Sequence, residues 1–165
     1  VLIGERLFAA LYINELLVRL IPGHESETEL FHAYGKVLLA LNSSADIEPV
    51  LRSFELTLLD NLGYGLQFTH EAGSGEAIAA EGWYYLHEDS GFVRQRQIQD
   101  PRPQSSHMLY PGNELHRIAS ANFTEDSTRK YAKRLLRKVL QQHLSERPLT
   151  SRELFKGSRH NSASD

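Results

Sequence analysis

The 165-residue chain contains no cysteine, which excludes disulfides, thiolate nucleophiles and cysteine-bound metal while leaving the redox compartment open. Long apolar runs are missing too. No window approaches the ~18 uninterrupted apolar residues of a membrane span. The best stretch, Leu7–Ile21, is broken by Asn14, Glu15 and Arg19, and it lacks a signal peptide's basic start and small-residue cleavage site. No GxxxxGK[ST] run offers a phosphate cradle, no GxSxG elbow presents a serine, and Gly73-Ser74-Gly75 is only a turn. The eight histidines (His24, His32, His70, His87, His107, His116, His143 and His160) show no HxxxH or HExxH spacing, so no metal-ligating pattern emerges. The carboxylate pairs Glu88-Asp89 and Glu125-Asp126 stand in loop or cap positions, where solvated charge is the ordinary role. These absences predict a soluble intracellular protein with no catalytic residues, metal or cofactor.

Charge is plentiful but divided. The net of −3 conceals 8 Lys/Arg against 18 Asp/Glu over residues 1–128, and 10 Lys/Arg against Glu146 and Glu153 over residues 129–160. Clustered cations on an otherwise acidic chain are the electrostatic footprint of a polyanionic partner.

The organising stretch is Val50–Gly65. Leu51, Phe54, Leu58, Leu59 and Leu62 recur at the spacing of one helical face. Pro49 suits the first helical position, Asp46 and Glu48 favour the positive helix end, and Gly63 and Gly65 provide the stop. Tyr64 is left between those two glycines, and Arg52 beside the core face. Ahead of it, Leu7, Phe8, Leu11, Ile13, Leu16, Leu17 and Leu20 predict a first helix ended by Pro22-Gly23. Glu27–Asn42 predicts a second, with Leu30, Phe31, Tyr34, Val37, Leu38 and Leu41 inward. Three helices with short connections predict an antiparallel bundle.

After Gly65 the pattern changes. Trp83–Val93 reads as a β-hairpin around His87–Gly91, and residues 95–110 as a loop. Pro111 and Asn113 could cap a short helix at Glu114–Ser120. Thr124–Leu144 is a long helix, with Ser127 or Thr124 as caps and Leu135, Leu136, Val139, Leu140 and Leu144 apolar. Arg147–Phe155 looks like a turn and a last short helix, and a Gly/Ser/Asn-rich tail starts at Gly157. The fold class expected is mainly α: a helical bundle from residues 1–65 and 114–156, a small β-containing lobe inserted at 66–113, and a flexible tail at 157–165.

The long helix carries the functional signal. Lys130, Arg134, Arg137 and Lys138 project within a narrow arc, with Lys133 at its edge and the leucines elsewhere. Like charges three or four residues apart repel by ~0.2–0.5 kcal/mol per pair. Their accumulation without interleaved glutamate points to phosphate contacts, hence salt-dependent and largely sequence-independent binding; the alternative is a plain solvated face. Arg147, Arg152 and Lys156 extend the basic segment. Tyr131 is the single aromatic among the cations of the long helix, so backbone binding is expected rather than base stacking.

Four stretches then carry a resemblance: Leu11-Tyr12-Ile13-Asn14-Glu15-Leu16-Leu17; Leu51-Arg52-Ser53-Phe54-Glu55-Leu56 continuing to Leu62-Gly63-Tyr64-Gly65; Ala72-Gly73-Ser74-Gly75-Glu76; and Arg147-Pro148-Leu149-Thr150-Ser151-Arg152-Glu153-Leu154-Phe155. Together, in this order, they resemble the RecO family of recombination mediators over Leu11 to Phe155. The resemblance implies a helical bundle interrupted by a small β lobe, preceded in the family by an OB-fold barrel; the uncapped start without methionine agrees with a missing N-terminal portion. In many relatives the lobe carries a four-cysteine zinc site. Here His70-Glu71 stands where a ligand would be expected, so a zinc-free lobe is expected, held by packing of Phe68, Trp83, Tyr84, Tyr85 and Phe92.

The function so implied is non-enzymatic, in the bacterial cytoplasm and nucleoid. Such proteins bind and anneal single- and double-stranded DNA. With RecR they load the RecA recombinase onto strands coated by single-strand-binding protein, whose acidic C-terminal tail they recognise. That tail needs a cation bordering an apolar groove. Arg52 with Leu51, Phe54 and Leu16 fits, and Arg19 is a second candidate; Arg52 could equally pair with Asp60 or Glu55, or lie on the surface. A different class of function also stands: a helical adaptor whose basic end docks an acidic protein instead of DNA.

Overall fold

Helical periodicity decides most of the architecture. The computed structural model describes residues 2–21, 28–43, 45–95 and 108–144, with Leu149 and Ser151. The chain divides into two units, one formed by Val1–Tyr64 with Arg134–Asp165, the other by Gly65–Lys133. The class is mainly α with a small β lobe, as the sequence predicts.

In the first unit, α1 (Glu5–Leu20), α2 (Thr28–Leu41) and α3 (Ile47–Asn61) form the predicted set of three helices. The Arg6 guanidinium, at the start of α1, donates to the carbonyls of Leu41 (2.9 Å) and Ala45 (3.0 Å), which lays the start of α1 beside the end of α2. Asp46 caps α3 by accepting from the Glu48 N–H at 3.4 Å. Pro49 therefore sits at the third helical position, where a missing N–H again costs nothing because the first four have no intrahelical partner. At the other end Gly63 takes φ +77°, its N–H reaching the Asp60 carbonyl and that of Tyr64 the Leu59 carbonyl at 2.8 Å. This paired closure satisfies two orphan carbonyls and needs a left-handed residue, hence glycine.

Leu51, Phe54, Leu58 and Leu59 are buried as expected, together with Ala9, Tyr12, Ile13, Leu16 and Leu20 of α1 and Leu30, Val37 and Leu41 of α2. Leu7, Leu11 and Phe31 are exposed instead. Apolar residues encircle α1 and half of α2, so periodicity alone could not choose the inward stripe; packing against α3 does.

In the second unit, β1 (Trp83–His87), β2 (Gly91–Arg94) and β3 (Leu109–Pro111) form an antiparallel sheet in the order β2-β1-β3. The predicted hairpin is β1–β2, with Leu86 opposite Phe92. β3, opposite Trp83–Tyr85, lies in what reads as loop: three residues ending in proline give no alternation to detect. Phe68, Ile78, Tyr84, Leu86, Phe92 and Tyr110 form the lobe's core, whereas Trp83 is exposed and Tyr85 half-buried. Phe92 meets Phe68 at 5.5 Å and the edge of Tyr110 at 6.2 Å between centroids.

The buried Glu71 carboxylate accepts the Arg94 N–H at 3.0 Å and the Ser74 hydroxyl, and the Ala72 N–H donates to the Phe92 carbonyl at 2.6 Å. This carboxylate fastens the 71–76 turn to β2 by hydrogen bonds. Among the described residues no three His, Cys, Asp or Glu side chains gather as a metal requires.

α4 (Gly112–Ala119) starts two residues before the expected Glu114 and packs with the lobe. A Cβ on Gly112 would come within 1.9 Å of the Ala79 carbonyl oxygen, so glycine is needed there for close approach. The His116 ring bonds the Ile78 carbonyl at 2.8 Å. Buried Glu114 accepts from Ser127 (2.8 Å) and Thr128 (2.5 Å), and Tyr110 meets Tyr131 at 6.1 Å. These contacts place α4 and the first turns of the last helix in the unit of the sheet, whereas the sequence reading assigns both to the bundle.

Candidate nucleic-acid interface

The last described helix, α5, runs from Asp126 to His143. Neither suggested cap acts as one: Ser127 donates to Glu114, and Thr124 to Asn122 at 2.7 Å. One side of α5 is core, with Thr128, Ala132, Leu135, Leu136, Val139 and Leu140 all buried. Opposite them lie Lys130, Lys133, Arg134, Arg137 and Lys138. At 3.6 residues per turn these five span about 140° of the helix circumference. All are exposed except the half-buried Lys138.

The amount of neutralisation along this face decides what it can do. Asp126 pairs with Lys130 at 2.7 Å and with Arg129 at 3.7 Å, and the hydrogen bond from Lys130 holds its carboxyl below the usual aspartate range. Arg129 also donates to the carbonyls of Phe123 (2.9 Å) and Thr124 (3.1 Å), so it belongs to the helix entry rather than to the cationic face. From Ser127 to Ser145 the chain has no Asp or Glu, so no helical neighbour one turn away can neutralise Arg134 or Arg137. Among the described residues neither arginine meets a carboxylate. Both guanidiniums are available, each a planar fork suited to phosphate oxygens. Arg147, Arg152 and Lys156 lie outside the described residues.

The residues suggested for a protein tail are placed otherwise. Arg52 is only 5 % exposed, its Nη1 lying 3.1 Å from Glu55 Oε2 and its Nε 3.8 Å from Glu48. Leu51, Phe54 and Leu16 are core. Of the alternatives the sequence leaves open for Arg52, the pairing with Glu55 is the one present: helix spacing brings Leu51, Phe54 and Leu16 to the inward stripe, and the guanidinium lies with them beside buried Glu55, three residues on. Arg19 is half-buried beside Glu15 at 3.5 Å.

Sequence reasoning missed what these charges hold together. The Tyr12 hydroxyl donates to Glu55 Oε1 at 2.6 Å, tying α1 to α3. Glu15 Oε2 accepts both the N–H (2.8 Å) and the hydroxyl (2.6 Å) of buried Ser151, beside buried Leu149. Tyr12 and Glu15 belong to the first of the four family-like stretches, Glu55 to the second and Ser151 to the fourth, so these polar links join stretches far apart in sequence.

A further pairing closes the end of α5. The rings of Tyr64 and His143 stack with centroids 3.7 Å apart and planes inclined by 8°. Burial holds the His143 pKa below its usual value, favouring the neutral ring. The residues lie 79 positions apart, and the only prior hint was an aromatic between two glycines.

The description "Recombination protein O C terminal" matches residues 4–153, nearly the whole chain. The chain belongs to the RecO family, in its C-terminal part. Over 93 % of its length it is 42 % identical to the DNA repair protein RecO of Pseudomonas putida strain W619, of which it covers 64 %. Over 93 % it is 43 % identical to that of Aliivibrio fischeri strain MJ11, covering 62 %, and over 92 % it is 43 % identical to that of Methylococcus capsulatus, covering 60 %. This RecO-family chain thus spans a little under two thirds of the relatives it matches.

Proposed function

We propose that this chain is a DNA-binding helical portion of a recombination mediator, acting in DNA repair by binding strands without making or breaking bonds. The observation that carries the reading is the outer face of α5, where Arg134 and Arg137 stand exposed, with no carboxylate on the helix beyond Asp126. Membership of the RecO family and the name of the relatives, DNA repair protein RecO, support the assignment of the polyanion as DNA. In this reading the chain binds single and double strands through phosphates. It promotes annealing and, with RecR, helps deliver a RecA-type recombinase to strands coated by single-strand-binding protein. Neither protein partner is assigned to Arg52, which is buried.

The test is fluorescence anisotropy of labelled oligonucleotides titrated with salt. Phosphate neutralisation by Z cations gives a slope of log K against log salt of about −0.7Z for single strands and −0.9Z for duplex. Substituting Lys133, Arg134 and Arg137 together by Glu should abolish binding while the helical circular dichroism persists. If the chain bound oligonucleotides feebly, gained nothing from longer ones and instead captured acidic proteins, the reading would give way to an adaptor role.

A further inference from the structure

We propose that the Tyr64–His143 stack is a platform for an unpaired nucleobase and makes the first unit prefer single-stranded over duplex DNA. This rests on the phosphate-binding reading of α5 and adds to it a contact that only unstacked bases can make.

The pair is built to present a ring. The backbone of Tyr64 is fixed by its N–H bond to the Leu59 carbonyl and by the left-handed Gly63, so the phenol leaves the end of α3 at a set angle. His143 then covers one face of that ring in a nearly parallel stack. Tyr64 is nevertheless 44 % exposed and His143 is exposed as well. A structural aromatic pair would normally be buried; this one leaves ring surface in water at the end of the cationic helix. A ring already held in place loses little conformational freedom when a base lies on it, and every base has a face that can stack. A neutral histidine behind the phenol adds a second aromatic layer without a charge to desolvate.

The cations lie within a few nucleotides of it. Lys138 and Arg137 precede His143 by five and six residues, about 7.5 and 9 Å along the helix axis and about 140° and 120° around it. Exposed Gln141 and Gln142 lie between them and offer neutral donors. A strand whose phosphates lie against Arg134, Arg137 and Lys138 can pass around the last turn of α5 and set a base on Tyr64. Duplex DNA cannot, because its bases are already stacked on each other.

The experiment measures anisotropy of three labelled ligands of equal length: an oligothymidylate, the same strand made abasic, and a duplex. The proteins are the unsubstituted chain, Tyr64→Ala, Tyr64→Leu and Tyr64→Phe. Loss of one stacked base is expected to weaken oligothymidylate binding by ~5–100-fold in Tyr64→Ala and Tyr64→Leu, with Tyr64→Phe close to the parent. Affinities for the abasic strand and the duplex should stay within about twofold. Equal loss on all three ligands would overturn the platform and make the pair merely structural, as would no loss on any; in both cases parental duplex binding leaves the α5 reading standing. A parent chain that binds none of the three would instead defeat the α5 reading, and the platform with it.

Discussion

Replacing Glu55 by alanine tests whether the interior of the helical unit is held by a charge network. The carboxylate is 1 % exposed, accepts the Tyr12 hydroxyl at 2.6 Å on Oε1, and has the Arg52 guanidinium 3.1 Å from Oε2 as an ion pair. Its removal leaves a buried guanidinium with Glu48 at 3.8 Å. Breaking a buried ion pair from one side costs about 3–5 kcal/mol, because the remaining charge is left desolvated. With an m-value near 2 kcal/mol/M, urea unfolding followed by circular dichroism should show the midpoint falling by roughly 2 M. The triple change Tyr12→Phe, Arg52→Met and Glu55→Leu replaces these three polar groups together and should recover most of that loss, since apolar replacement of a buried ionic group is often neutral or stabilising. Glu48 stays in that variant, its side chain 37 % exposed although the Oε2 that faces Arg52 is itself buried. A Glu55→Ala cost below ~1 kcal/mol, or a triple variant as unstable as the single one, would refute the reasoning.

Two further outcomes follow from local geometry. Gly112→Ala, which drives a methyl group onto the Ala79 carbonyl, should destabilise the sheet-containing unit by more than the ~1 kcal/mol typical of point substitutions; thermal unfolding no different from the parent would contradict the close approach. His143, whose pKa is depressed by burial, binds a proton more readily unfolded than folded, so stability should rise with pH up to the unfolded value near 6.5 and fall below it. Urea midpoints at pH 5 and pH 7.5 should therefore differ less in His143→Phe than in the parent, and an identical difference would remove the histidine from the account.

The sequence made the helices legible because each is long enough for its apolar period to repeat, and α3 had both a cap and a glycine stop. It did not show which side of α1 faces inward, since leucines and alanines surround that helix. β3 has no signature in the sequence because three residues carry no period. Nor could spacing reveal that α4 joins the sheet, as the bonds of Glu114 and His116 that hold it there are between side chains and distant partners. The cationic face of α5 was readable from helix geometry alone. By contrast, spacing leaves Arg52 open between a groove and an ion pair, because burial of its neighbour Glu55 has no signature in the sequence, and the stack at Tyr64 depends on a residue from the far end of the chain.

The most direct measurement is the salt dependence of oligonucleotide affinity for the parent and for the Lys133→Glu, Arg134→Glu, Arg137→Glu variant. The parent should show a steep log–log slope, set by several released counterions, and the variant should lose both the affinity and the slope. A variant that binds as tightly and with the same slope as the parent would show that the phosphates meet some other surface.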